Sequence, residues 1–188
     1  VRNRAGLAFH RLAKGKTMTR TAAFTVIAIT GLSIAGCAQQ PQTAQEFREA
    51  IPGAFMGKVQ TFEAKRPLAA VAKTFQARAP DCLNVSVRSV SQSSTSYQNI
   101  LTVYKATVVN NPQKAELHLQ RDFKSGVIVP GKVPPGGLYY VVADATPLDQ
   151  SRTRIDIYGP SVGTDTLVRA ITGWATGDNL GCPDMTKS

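Results

Sequence analysis

Residues 98–109 read QNILTVYKATVV, residues 110–112 read NNP, and residues 115–121 read AELHLQR. The first run is dense in β-branched and aromatic residues, which fit a pleated, half-buried surface. Asn110-Asn111-Pro112 is a turn signal. In the third run Ala115, Leu117, Leu119 and Arg121 alternate with Glu116, His118 and Gln120, the period of a strand with two unlike faces. Two such runs around a short turn predict a β-hairpin.

Upstream, Leu83, Val85 and Val87 alternate with Asn84, Ser86 and Arg88, which predicts another half-buried strand, with Ser89–Ser96 as a polar turn. Before it, Pro67 opens a helix at a favoured first-turn position. Leu68, Val71, Ala72, Phe75 and Ala79 share one face of that helix, and Pro80 ends it. Residues 57–64, GKVQTFEA, have strand character. Thr43 and Glu46 have capping-box spacing, so a short helix runs through Ala50 and stops before Pro52, with Phe47 and Ile51 docking on the core.

Downstream, Leu138–Ala145 and Arg152–Tyr158 read as strands with a turn around Asp149. A last helix spans about Asp165 to Thr176, with Thr164 as its cap, Gly177 as its stop, and Leu167, Ala170, Ile171 and Trp174 as its buried face. The order is short helix, strand, helix, about five strands, helix. It predicts an α+β fold: an antiparallel sheet of about five to six strands with two main helices packed on one face. The order resembles the helix-grip modules of some outer-membrane assembly lipoproteins, in which helices lie across a curved sheet.

The formal charge of the 188-residue chain is +10, which invites a nucleic-acid reading. Its distribution argues against one. Residues 1–36 carry Arg2, Arg4, Arg11, Lys14, Lys16 and Arg20 and no acid, followed by the apolar stretch Thr21–Ala35. A basic segment, a short apolar segment and small residues are the parts of a secretory signal. At fifteen residues this stretch is short for a membrane span of about 20. Met18 opens a compact version of the same pattern, so translation starts there or at Val1. Without residues 1–36, sixteen basic residues face twelve acids, a net charge of +4 over 152 residues. That is ordinary for a folded domain. Tyr139 and Tyr140 fall one on each strand face and form no stacking platform.

Leu32-Ser33-Ile34-Ala35-Gly36-Cys37 ends the apolar stretch. It resembles the lipobox of bacterial lipoproteins, an aliphatic residue and two small ones before a cysteine. The resemblance covers residues 18–37 only. It implies a diacylglyceryl group on the Cys37 thiol, cleavage before Cys37 and, in a Gram-negative bacterium, acylation of the new amine. Ala38, rather than Asp, follows Cys37. By the sorting rule best known from enteric bacteria this implies the outer membrane, on its periplasmic side. The competing readings are an ordinary signal peptide with a chance cysteine, or a true membrane anchor. One acyl chain binds marginally, while two or three hold nearly permanently. On this reading residues 1–36 are a removed leader, 37–45 a lipidated cysteine and polar tether, and 46–188 a single α+β domain.

Export places Cys82 and Cys182 in an oxidising compartment. With Cys37 taken by lipid they have one possible pairing, a disulfide, against the alternative of two free thiols. Closing a loop of about 100 residues would stabilise by up to about 4.7 kcal/mol in the chain-entropy view.

Several patterns resemble catalytic motifs and fail on context. Gly159-Pro160-Ser161-Val162-Gly163 fits a nucleophile elbow, but no His follows Ser161. Gly126–Lys132 fits a phosphate loop, but Val133 stands where Ser or Thr is needed and Pro134-Pro135 bar the receiving helix. His118 has no second His or free Cys with which to share a metal, and reads as a solvent-facing strand residue. Asp144 reads as a turn-capping or ion-paired acid. No catalytic residue, metal or cofactor is expected.

One loop stands out. Residues 124–137, KSGVIVPGKVPPGG, place Val127, Ile128 and Val129 among Gly and Pro. Long loops are often functional, and this one offers a tip for a partner or a membrane, or else an edge strand that packs these residues inward. The reading that follows is a lipid-anchored, non-catalytic envelope protein acting as a structural or protein-interaction module. The alternative is a periplasmic binding domain for a small apolar ligand or lipid.

Overall fold

The computed structural model describes residues 39–94, 96–178 and 181–187. Helix α1 (Ala44–Ala50) runs into a 3-10 turn, Ile51–Gly53, and strand β1 (Gly57–Ala64) follows. Helix α2 (Leu68–Leu83) precedes five strands: β2 (Ser86–Gln92), β3 (Tyr97–Asn111), β4 (Lys114–Ser125), β5 (Leu138–Pro147) and β6 (Thr153–Pro160). Helix α3 (Asp165–Thr176) and a final 3-10 turn, Met185–Lys187, complete the order. The six strands form one antiparallel sheet in the order β1-β6-β5-β4-β3-β2. The fold is α+β.

Alternation decides which residues face which layer. Ala115, Leu117 and Leu119 of β4, Val141, Ala143 and Ala145 of β5, and Ile155 and Ile157 of β6 are fully buried against α2 and α3. The helices answer with Val71, Phe75, Ala79 and Leu83 from α2, and Leu167, Ile171 and Trp174 from α3. A bulge at Leu119/Gln120 makes Tyr140 an extra residue in β5, and Tyr140 joins Val141 in this core. The disulfide Cys82–Cys182, with Cα atoms 4.9 Å apart, ties the end of α2 to the C-terminal segment.

Four local expectations give way. Helix α2 continues through Pro80 to Leu83. Pro80 lacks an N–H and crowds the carbonyl four residues back, but continuing buries Cys82 and Leu83 and positions the disulfide. Strand β2 extends to Gln92 inside the expected polar turn, because it is an edge strand held by backbone pairing to β3 and needs little apolar burial. Thr164 precedes α3 but does not cap it; its hydroxyl donates to the Pro160 carbonyl at 2.7 Å. Phe47 and Ile51 do not join the main core. They form a second cluster with Ala44 and Val142, packed by Tyr139 and Tyr158, on the other face of the sheet. Helix α1 therefore covers the face opposite α2 and α3.

Candidate functional site

The face under α1 carries a row of acids. Glu116 of β4 lies opposite Asp144 of β5, which lies opposite Asp156 of β6. Like charges placed directly opposite on neighbouring strands repel, so the row requires cations. Arg48 of α1 supplies one: its Nη2 donates to Asp144 Oδ1 at 2.7 Å and also to Glu116 Oε2. Lys114 Nζ lies 3.1 Å from Glu116 Oε1 and 3.0 Å from Asp144 Oδ2. Asp156 is held by Arg154 Nε at 2.9 Å and by the Thr61 hydroxyl at 2.6 Å. Three acids thus meet three cations.

His118 Nε2 completes the cluster, 2.7 Å from Glu116 Oε2, and its ring meets Tyr139 edge-on with centroids 6.1 Å apart. His118 is mostly covered, not solvent-facing, because α1 closes over its strand face. Asp144 is ion-paired, one of the two roles its sequence position suggested. Burial pushes the Glu116 carboxyl up, but hydrogen bonds from His118, Arg48 and Lys114 outweigh it and hold it at about 2. Burial, with help from the Asp144 and Asp156 charges, raises the Tyr158 phenol.

This arrangement fastens α1. Phe47 and Ile51 bury their side chains over Val142, Tyr139 and Tyr158 while Arg48, between them in sequence, bridges two strands. The start of the helix is fixed as well. The Thr43 hydroxyl accepts from Glu46 N at 3.1 Å, and Glu46 Oε2 accepts from Gln42 N at 2.8 Å, one residue further back than a reciprocal capping box places it. Each carboxylate of the row is paired with at least one cation.

The second feature is the loop joining β4 to β5. It is coil, not an edge strand. Ile128 is 95% exposed and Val127 38%, while Val129 is half-buried. Both ends of the loop are pinned. Gly126 has φ 79°, and a Cβ there would lie 2.6 Å from the Asn99 carbonyl oxygen; at Gly137, φ 106°, a Cβ would lie 2.5 Å from that of Arg121. Buried Gln120 donates through Nε2 to the carbonyls of Pro135 and Gly137, each at 2.9 Å. Gln42 Nε2 donates to the Lys132 carbonyl at 2.8 Å, joining the loop to the residues before α1.

The remaining residues singled out in the sequence are scattered. Ser161 is exposed in the turn before α3, where its backbone N–H donates to the Met56 carbonyl at 2.7 Å. Lys132 stands exposed in coil with no helix after it. Cys37 lies outside the described residues. Among those residues no group of three or more His, Cys, Asp or Glu could hold a metal ion, and no helix is long and apolar enough to cross a membrane. An open cleft of about 420 Å³ lies between β1 and α3, lined by Phe62, Val168, Thr172 and Gly173 with Asp165, Arg169 and Asp178 at its polar edge. Sequence reading missed Arg48, Lys114 and Glu116. Their signal was the polar alternation of β4, and the docking of α1 that unites them is non-local.

No protein-family model matches the chain, and no curated protein sequence does. Among solved structures, a conserved protein from Geobacillus kaustophilus is similar at 14% identity, covering 65% of this chain and 88% of its own, with a TM-score of 0.29.

Proposed function

We propose that the protein is a lipid-anchored cell-envelope protein, held on the periplasmic side of the outer membrane, that acts as a non-catalytic structural or protein-interaction module. The observation that carries this reading is the lipobox-like Leu32–Cys37 at the end of a basic, then apolar, leader. Two features of the fold support it. The disulfide Cys82–Cys182 suits an oxidising compartment. Helix α1, the first element after the tether, is fastened to the sheet by both apolar and ionic contacts, so a pull on the tether is delivered to the whole sheet. Metabolic labelling with a radioactive fatty acid tests the anchor. The wild-type chain incorporates label and Cys37→Ser does not; equal labelling of the two overturns the reading. Cross-linking in the intact envelope then identifies a protein partner.

The cleft between β1 and α3 favours a second reading, a binding domain for a small apolar ligand or lipid. Phe62 and Val168 give it an apolar floor. Native mass spectrometry of the purified protein distinguishes the two, since a binding domain retains a ligand mass that denaturation releases.

A further inference from the structure

The antiparallel register places the start of β1 and β5 and the end of β4 and β6 at one end of the sheet. Exposed apolar side chains gather there. Phe55, 91% exposed, and Met56 precede β1, and Val162 follows β6. The Ser161-to-Met56 hydrogen bond brings these two segments together. Val127, Ile128 and Val133 belong to the β4–β5 loop at the same end. The pinned loop ends leave the Ile128 side chain projecting into water rather than folded against its neighbours. Grouped apolar side chains held outward mark a docking surface.

The path of the chain identifies the occupant. Gln42 is bonded to the Lys132 carbonyl of this same loop. Cys37 is five residues before Gln42, and five residues of extended chain reach at most ~18 Å. A lipid on Cys37 therefore keeps Gln42 within that distance of its attachment point, and the loop is one side chain and one hydrogen bond further on. At the opposite end of the sheet Val109 and Leu148 are exposed, at the end of β3 and in the β5–β6 turn. That end is directed away from where the tether leaves.

We infer that Phe55, Met56, Val162, Val127, Ile128 and Val133 form a rim that inserts into the headgroup region of a phospholipid bilayer and sets the orientation of the domain on it. This inference rests on the lipid-anchor reading, because the anchor supplies the proximity. Exposed Lys132, in the loop itself, faces the phosphate layer. Shallow insertion of this kind adds apolar contact to an anchor without a spanning segment.

The test uses the full chain, expressed in a Gram-negative host with labelled fatty acid and reconstituted on vesicles of phosphatidylethanolamine and phosphatidylglycerol. Ile128→Trp and Phe55→Trp report on the rim, and Leu148→Trp on the far end; buried Trp174 contributes a constant background. With a lipid spin-labelled close to the headgroup, emission of both rim variants shifts to the blue and falls, while that of Leu148→Trp stays as it is. Labelled protein that floats with the vesicles, but whose rim variants are quenched no more than Leu148→Trp, overturns the rim and leaves the anchor standing. Protein that neither incorporates label nor floats overturns the anchor and the rim together.

Discussion

The two faces of the sheet are built from alternate residues of the same strands, yet they are held by different physics. On one face Leu117, Leu119, Val141 and Ile157 meet α2 and α3 in a core closed by the disulfide. On the other, Glu116, Asp144 and Asp156 stand in a row that is tolerable only because Arg48, Lys114 and Arg154 neutralise it. The first face is stabilised by removing apolar surface from water, which is non-directional and accumulates with area. The second depends on a few directed bonds and on a seven-residue helix too short to persist alone. The difference assigns global stability to one face and attachment of the N-terminal segment to the other.

Truncating an aromatic residue on each face tests that division. Trp174 is 1% exposed at the centre of the main core, and Trp174→Ala costs about 3–5 kcal/mol, read as a fall in the denaturation midpoint. Phe47→Ala removes the main apolar contact of α1 and frees that helix locally. Its midpoint by far-UV circular dichroism, read in the same way for both variants, moves much less. Equal shifts for the two variants would show that the faces melt as one.

The main core was legible because it is written locally. Strand β1 and helix α3 fall where the sequence pattern puts them, and the buried face of α3 includes Leu167, Ala170, Ile171 and Trp174 as the spacing indicates. Cys82 and Cys182 pair as the sequence reading expected. The second face was not legible, for a physical reason. Glu116 and His118 alternate like solvent-facing residues, and what gathers them with Asp144 is α1, whose Arg48 lies 68 residues from Glu116. The second half of β2, Ser89–Gln92, was hidden in the same way: its side chains are exposed, and its identity lies in backbone pairing with β3. Pro80 misled in the opposite sense, because a local penalty was outweighed by burial of Leu83 and by the disulfide.

The ionic face gives a smaller and more specific effect. Arg48→Met leaves Glu116 and Asp144 facing each other with Lys114 as their shared cation, at a cost of about 1–3 kcal/mol. Adding Asp144→Asn relieves the repulsion, so the double variant loses less than the sum of the single variants. Acid titration reads the same cluster. Glu116 is held at about 2 against an ordinary value of 4.5. A folded-state value below the unfolded one contributes stability that is full above pH 4.5 and lost as the pH falls toward 2. Glu116→Gln flattens this part of the stability profile and leaves the neutral region without that dependence. An unchanged acid limb in Glu116→Gln would remove the carboxylate from the account.

The smallest effect comes from the cap of α1, and it separates the faces most finely. The Thr43 hydroxyl accepts from Glu46 N at 3.1 Å on an exposed helix start. Thr43→Ala therefore costs about 1 kcal/mol. At α3 the equivalent hydroxyl, on Thr164, is spent on the Pro160 carbonyl, and that helix is held by its buried face instead. Loss of the Thr43 cap consequently appears in hydrogen exchange as faster exchange of the α1 amides, including Phe47 N, which donates to the Thr43 carbonyl at 3.0 Å. The α3 amides, such as that of Ile171, exchange as before, because they open only with the core. Equal acceleration in α3 would mean that the ionic face transmits to the apolar one, and that the fastening of α1 is part of the global fold rather than a separable attachment.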